Sequence, residues 1–175
     1  MSTCPNCGYT AFSDKEEVSE TSSSSAHEEE PEDEDEYYLE DLGDIYRELM
    51  SDLMKKINKM EVKSREMYAA GLDQFSPFAN DIAFFMSTIR NHKAIEQEKL
   101  YELEFDTKYE DVYNRYEIYL CKMLELLKKI DSTCLHLLSY LEDHDNLLFQ
   151  YELESFINLL GSFHNINKSC LNLFN

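Results

Sequence analysis

Two cysteines near the N-terminus, Cys4 and Cys7, are the residues of this chain whose type and spacing most directly suggest chemistry. They form a Cys-x-x-Cys-Gly sequence, in which the glycine permits a tight turn and the two thiolates can bind one edge of a tetrahedral zinc ion. A closed site needs further ligands, such as His27 or the same pair from a second chain. Zinc is therefore the one cofactor that the sequence suggests, with a free, exposed thiol pair as the alternative.

Residues 4–8 resemble the first half of a zinc ribbon, a fold that carries a second Cys-x-x-Cys pair. No second pair follows in this chain. Cys121 and Cys134 would lie about 140° apart around a helix axis, and Cys170 stands alone near the end. The resemblance covers five residues and implies no function.

Sequence motifs of catalysis are absent from the chain. It contains no glycine-rich phosphate loop, no Gly-x-Ser-x-Gly turn and no His-Glu-x-x-His. None of its five histidines follows a glutamate at the Glu-x-x-His spacing of di-iron bundles. Cys134 and His136 would point about 200° away from each other on a helix, so they do not form a nucleophile and its base. We therefore expect a protein that is not an enzyme.

Acidic residues are concentrated near the N-terminus. Residues 1–44 contain fifteen Asp and Glu against Lys15 alone, and the whole chain has a formal net charge of −20. After a possible zinc-knuckle segment at 1–12, residues 13–38 contain too few apolar side chains to offset the entropy of ordering, so we expect a disordered acidic linker. This tail can engage a basic protein. Direct nucleic-acid binding is not expected, because it depends on basic side chains.

Three serines of the linker follow a spacing that suits an acid-directed kinase. Glu28 lies three residues after Ser25, and a phosphate on Ser25 gives Ser22 and then Ser19 an acidic group at the same offset. We predict stepwise phosphorylation of these serines, with an unmodified, solvating linker as the alternative. Because the chain shows neither a secretory signal nor a long apolar run, we expect an intracellular protein, cytoplasmic or nuclear, that does not associate with membranes.

The longest pattern in the sequence is a repeat of about 3.5 residues, which predicts a helix with one face packed against other helices. Its positions are apolar or aromatic with the exception of His144. We call these residues the heptad seam: Tyr109, Tyr113, Tyr116, Leu120, Met123, Leu127, Ile130, Cys134, Leu137, Leu141, His144, Leu148 and Tyr151. Neighbouring apolar residues widen the stripe, which favours a bundle of three or more helices. We expect the seam to bind helices of a partner or of a second copy.

Further helices are expected on either side of this repeat, within a bundle domain at 39–175. The first runs from about Leu39 to Ala70, and Ser76 followed by Pro77 marks the start of the second. The capping-box sequence 107–110 predicts that the main helix begins at Lys108. The alternatives are one unbroken helix from Pro77, a second break at 143–146, and a short terminal helix after Gly161.

Four lysines form a basic stripe on the first predicted helix. Lys55, Lys59 and Lys63 recur every four residues, with Lys56 beside them. They are the one concentration of positive charge in the sequence. A solvated helix face explains them, and so does a docking surface for an acidic partner or for the acidic tail of the same chain.

These patterns predict an all-α fold, a helical bundle with long coiled-coil-like helices preceded by a disordered acidic N-terminal tail. The function that follows is a non-enzymatic adaptor or scaffold subunit that mediates protein–protein interaction. The alternative is a regulatory factor of the transcription or chromatin machinery, in which the zinc knuckle is a contact and the acidic tail engages basic proteins such as histones.

Overall fold

The computed structural model describes residues 32–70 and 75–175, with side chains described for 38–70, 77–92 and 98–175. It contains four long helices: α1, Glu32–Ala70; α2, Phe75–Tyr101; α3, Glu110–Glu142; and α4, Asn146–Leu171. The described residues include no strand, and none of their helices is long and apolar enough to cross a membrane. The prediction of an all-α helical bundle is confirmed.

The four helices form a ring in chain order, because α1 packs against α2, α2 against α3, α3 against α4, and α4 against α1. Neighbours run antiparallel. Between α2 and α3, Tyr116 donates to the Leu100 carbonyl near the connection, while Arg90 pairs with Asp131 further away from it. The result is an up-down-up-down four-helix bundle.

The buried residues of each helix are spaced alternately three and four positions apart, so they lie on one face of the helix. This spacing is typical of helices that pack nearly parallel or antiparallel to one another. In α1 the buried positions are Leu42, Tyr46, Met50, Leu53, Ile57, Met60, Ser64 and Met67. In α4 they are Phe149, Leu153, Phe156, Leu160, Phe163, Asn167 and Cys170, with Ile157 buried beside them. The heptad pattern of α3 is therefore shared by the helices around it.

Two pairs of phenylalanines join the diagonal helices α2 and α4. The ring centroids of Phe78 and Phe149 are 6.3 Å apart with the planes at 88°, and those of Phe85 and Phe156 are 6.0 Å apart at 83°. The two pairs are one heptad apart on both helices, so α2 and α4 run parallel. Edge-to-face pairs of this kind contribute about 0.5–1.5 kcal/mol each beyond the burial of their area.

Buried polar contacts define the opposite end of the core. The Tyr46 hydroxyl, fully buried, donates to the Asn167 side-chain oxygen at 2.7 Å and joins α1 to α4. Tyr46 also meets Tyr116 edge-on, with ring centroids 6.0 Å apart. Phe174 covers both rings. Burial raises the pKa of both tyrosines above its usual value, because the phenolate form would lose its hydration.

The first helix begins earlier than the sequence pattern indicated. α1 starts at Glu32 instead of Leu39, so the last seven residues of the predicted disordered linker 13–38 are helical. The prediction relied on apolar side chains, but glutamate is also a good helix former, and acidic residues are favoured in the first turn of a helix. Residues 1–31 lie outside the described part of the chain, so the rest of the predicted tail stays a prediction.

The chain breaks between α2 and α3, which excludes the alternative of one unbroken helix from Pro77. α2 ends at Tyr101, a single turn of 3₁₀ helix follows at Thr107–Tyr109, and α3 begins at Glu110 rather than Lys108. The capping differs from the prediction. The Asp106 carboxylate accepts hydrogen bonds from the Lys108 backbone N–H and the Thr107 hydroxyl. Asp106 therefore caps the 3₁₀ turn, whereas α3 begins after Tyr109 without a side-chain cap, so the predicted capping role of Thr107 is wrong.

The predicted seam ends at Leu141, because α3 stops at Glu142. His144 adopts a positive φ of 57°. Its backbone N–H donates to the Leu141 carbonyl at 3.4 Å, and the N–H of Asp145 donates to the Tyr140 carbonyl at 3.0 Å. This pair of bonds is a Schellman motif, the usual end of a helix, with His144 in the left-handed position that glycine normally occupies.

α4 starts immediately after this cap, and its first buried position lies one residue later than the predicted seam position. The Asp145 carboxylate accepts from the Leu148 backbone N–H at 3.1 Å. Phe149 is buried, whereas Leu148 and Tyr151 are exposed. Together with the exposed His144, these two residues were wrongly assigned to one continuous seam. The alternative of a second break at 143–146 is confirmed, whereas that of a short terminal helix after Gly161 is excluded, because α4 continues through Gly161 to Leu171.

Candidate functional site

The four lysines of the basic stripe all lie on α1, and three of them face α2. Lys56, Lys59 and Lys63 line a shallow groove between the two helices. Lys55 lies outside the groove and pairs with Asp52 at 3.5 Å. The four-residue spacing therefore predicted the stripe correctly. Three of its four lysines share a concave surface because α2 packs beside them.

The second wall of this surface comes from α2. Phe84 is 65% exposed although it is a large apolar residue, and Asp81 forms an ion pair with Lys63 across the two helices. The ammonium of Lys56 lies 5.5 Å from the centroid of the Phe84 ring. We call this site the α1/α2 groove and define it by Lys56, Lys59, Lys63, Asp81 and Phe84.

The α1/α2 groove carries an excess of positive charge on an acidic molecule. Three lysines face Asp81, and Asp81 is already paired with Lys63. Within residues 38–70, 77–92 and 98–175, Lys59 forms no ion pair. A cation over an exposed ring contributes only about 0.5–1 kcal/mol, so Lys56 remains available to an anionic ligand. The groove therefore attracts acidic groups, and this attraction weakens as salt is added.

Phe84 is the residue of this site that the sequence analysis missed. Its neighbour Phe85 is buried and packs against Phe156 of α4. Successive residues of a helix point about 100° apart, so two adjacent phenylalanines cannot both face one core. The Phe84-Phe85 pair was the available signal, since Phe85 continues the repeat that contains Ile82 and Ile89. With Phe85 in the core, Phe84 must lie at the surface.

From Tyr109 to Leu141, the residues of the heptad seam are buried or half-buried in this chain's own bundle. Tyr109, Tyr113 and Leu141 are half-buried. The buried members are Tyr116, Leu120, Met123, Leu127, Ile130, Cys134 and Leu137. A helix from a partner could reach them only by displacing one of the chain's own helices, so external binding through the seam stays a prediction.

Two of the three described cysteines lie in the core of the bundle. Cys134 and Cys170 are fully buried, and burial raises the pKa of each thiol to about 12. Such thiols are protonated and inert at neutral pH. No cluster of three or more His, Cys, Asp or Glu suited to a metal ion occurs among the side chains described at 38–70, 77–92 and 98–175. The predicted zinc ligands and phosphorylation sites lie outside these residues: Cys4, Cys7, Ser19, Ser22 and Ser25.

The arrangement of the α1/α2 groove suits the binding of an acidic ligand. It combines an exposed aromatic ring with ammonium groups, which together can hold an acidic segment that also carries an apolar side chain. Similarity to known proteins adds nothing to this assignment: no protein-family model matches the chain, and no curated protein or solved structure shows significant similarity to it.

Proposed function

We propose that this protein is a non-enzymatic adaptor whose helical bundle presents the α1/α2 groove to acidic segments of partner proteins. The observation that carries the proposal is the position of Phe84, 65% exposed beside three lysines, in a chain with a net charge of −20. The ring of Phe84 and the ammonium groups form one exposed surface. It offers a partner apolar contact and charge at the same place.

The expected affinity is modest. Covering the exposed part of a phenylalanine contributes about 1–2 kcal/mol, a share of the roughly 1.5–3 kcal/mol gained by burying the whole side chain. Each exposed ion pair with Lys56 or Lys59 adds about 0.2–1 kcal/mol. Because association also costs rotational and translational entropy, these contacts support transient binding. The rest of the bundle, held together by the seam, serves as a rigid support for the groove.

A peptide titration of the full chain tests this function. The probe is a fluorescein-labelled acidic peptide with two central leucines, and binding is followed by fluorescence anisotropy. Phe84→Ala and Lys59→Glu should each weaken binding about tenfold, which corresponds to about 1.4 kcal/mol. Both residues are exposed, so the helical circular dichroism signal and the midpoint of urea unfolding should stay unchanged.

Two substitutions on α3 are matched controls. Ile118 is 52% exposed and Lys128 is exposed, and neither lines the α1/α2 groove. Ile118→Ala and Lys128→Glu therefore remove the same kinds of groups at a distance from the proposed site. They should change the peptide affinity less than about twofold, since surface charges far from a ligand are screened by salt. Equal losses in the groove and control variants, or no binding at all, would contradict the proposal.

A further inference from the structure

The α1/α2 groove has a chemically matching segment within the same chain. Residues 12–20 begin with Phe12, contain Val18 near their end, and carry four acidic side chains against Lys15. The acids are Asp14, Glu16, Glu17 and Glu20. We propose that segment 12–20 occupies the α1/α2 groove of its own chain and masks it from acidic partners. This inference rests on the function proposed for that groove and identifies its regulation.

The charge and apolar pattern of segment 12–20 fits the contents of the groove. Val18 supplies the apolar side chain that can cover the exposed ring of Phe84. Glu17 and Glu20 flank Val18 and can approach the ammonium groups of Lys56 and Lys59. Elsewhere between residues 13 and 36, apolar side chains are nearly absent. Segment 12–20 is therefore the part of the tail that offers both kinds of contact.

The length of the chain permits this contact and restricts it to part of the tail. Lys56 lies 24 residues after Glu32, the first residue of α1, which is about 36 Å along a helix. Val18 precedes Glu32 by 14 residues, and an extended chain of that length spans up to about 48 Å. Glu28 and Glu30 are at most four residues from the helix, a reach of about 14 Å. The most acidic part of the tail therefore cannot reach the groove, whereas segment 12–20 can.

Covalent attachment gives this segment an advantage over partners in solution. A chain of about 14 residues has an average end-to-end distance of about 22 Å, so spanning 36 Å requires stretching and reduces the effective concentration to the order of 1 mM. If segment 12–20 alone binds with a dissociation constant of about 0.1 mM, masking weakens the binding of a competitor about tenfold. Repulsion between the acids of the tail extends it and favours the same contact.

The test compares two sets of neutralised acids in the full chain. The first removes three charges within reach of the groove, by Glu16→Gln, Glu17→Gln and Glu20→Gln. The matched control removes three charges beyond reach, by Glu28→Gln, Glu29→Gln and Glu30→Gln. Both sets change the net charge equally, so a general loss of repulsion affects them alike. The probe is a fluorescein-labelled peptide of residues 10–23, titrated with each protein and followed by anisotropy.

Masking predicts that the peptide binds the first variant about tenfold more tightly than the natural chain, with no such gain in the control. Adding Phe84→Ala to the first variant should remove the gain. Equal affinity for the natural chain and both variants overturns masking but leaves the proposed function standing. Absence of binding even to the first variant overturns the proposed function itself. A gain that varies with protein concentration assigns the contact to a second copy and overturns masking within one chain.

Discussion

At the scale of single residues, two glycines inside helices show how the surroundings decide the effect of one methyl group. A Cβ added at Gly161 of α4 would meet no atom within 4 Å. A Cβ added at Gly43 of α1 would lie 2.8 Å from the Cβ of Phe174, which is 2% exposed. The backbone of α1 therefore approaches the C-terminal residues at a distance that only glycine allows.

The same substitution should therefore have opposite effects at the two positions. Gly161→Ala should raise the free energy of unfolding by about 0.5–1 kcal/mol, because alanine loses less backbone entropy in a helix. Gly43→Ala gains the same propensity but displaces Phe174, so a net loss of about 1–3 kcal/mol is expected from overpacking. Urea denaturation of both variants measures the difference. Stabilisation at both positions would show that Phe174 does not pack tightly against Gly43.

At the scale of helices, the turn between α3 and α4 is specified by two adjacent residues. His144 ends α3 in the left-handed conformation, and the Asp145 carboxylate accepts a backbone hydrogen bond at the start of α4. A side chain with a Cβ is strained in the left-handed conformation by about 1 kcal/mol. The chain retains this strained residue in place of the glycine that commonly follows a helix.

Substitution of this histidine should make the protein more stable. His144→Gly removes the strain at positive φ, so the free energy of unfolding should rise by about 0.5–1 kcal/mol even though glycine increases the entropy of the unfolded chain. The matched control is His164→Gly at an exposed position inside α4, where a loss of about 0.3–0.5 kcal/mol is expected from the difference in helix propensity. Thermal unfolding followed by circular dichroism distinguishes the two. Destabilisation by His144→Gly would mean that the imidazole contributes more than the strain costs.

The sequence predicted the helices better than it predicted the turns between them. α3 was identified because its apolar residues recur over nearly its whole length, and this periodicity arises from burial itself. The one-residue shift at α4 was not identifiable in this way, since Leu148 and Tyr151 are as apolar as Phe149 and Leu153. Only the backbone geometry at His144 determines which of the two sets is buried.

Only the part of the candidate site that lies on one helix was predictable from the sequence. The lysine stripe follows from spacing along one helix, so it was visible in the sequence. Its partner Phe84 lies on another helix, and the pairing of Lys56 with Phe84 depends on how α1 packs against α2. A single sequence contains no periodic signal for such a contact. The adjacent aromatic residues at 84 and 85 indicated an exposed ring but not its neighbours.

At the scale of the whole molecule, four buried groups share one electrostatic property. Tyr46, Tyr116, Cys134 and Cys170 lie in the core that all four helices enclose. Burial raises the pKa of each, because the ionised form would lose its hydration there. Each group therefore ionises more readily in the unfolded chain than in the bundle. This difference links the stability of the entire fold to alkaline pH.

The bundle should lose stability steadily between about pH 9 and pH 12. The thiol pKa is 9.0 in the absence of burial and about 12 in the fold. The contribution of these thiols is thus fully present below pH 9, and it is lost as rising pH ionises the unfolded chain first.

Circular dichroism should show helix loss together with a late step in tyrosinate absorbance, since Tyr46 and Tyr116 ionise only on unfolding. Replacing Cys134 and Cys170 by alanine should make the decline shallower over this range, although it lowers the stability at neutral pH. A helical signal that persists well above pH 12 would show that these buried groups do not govern the transition, and an equal slope in the double variant would show that the two thiols do not contribute to it.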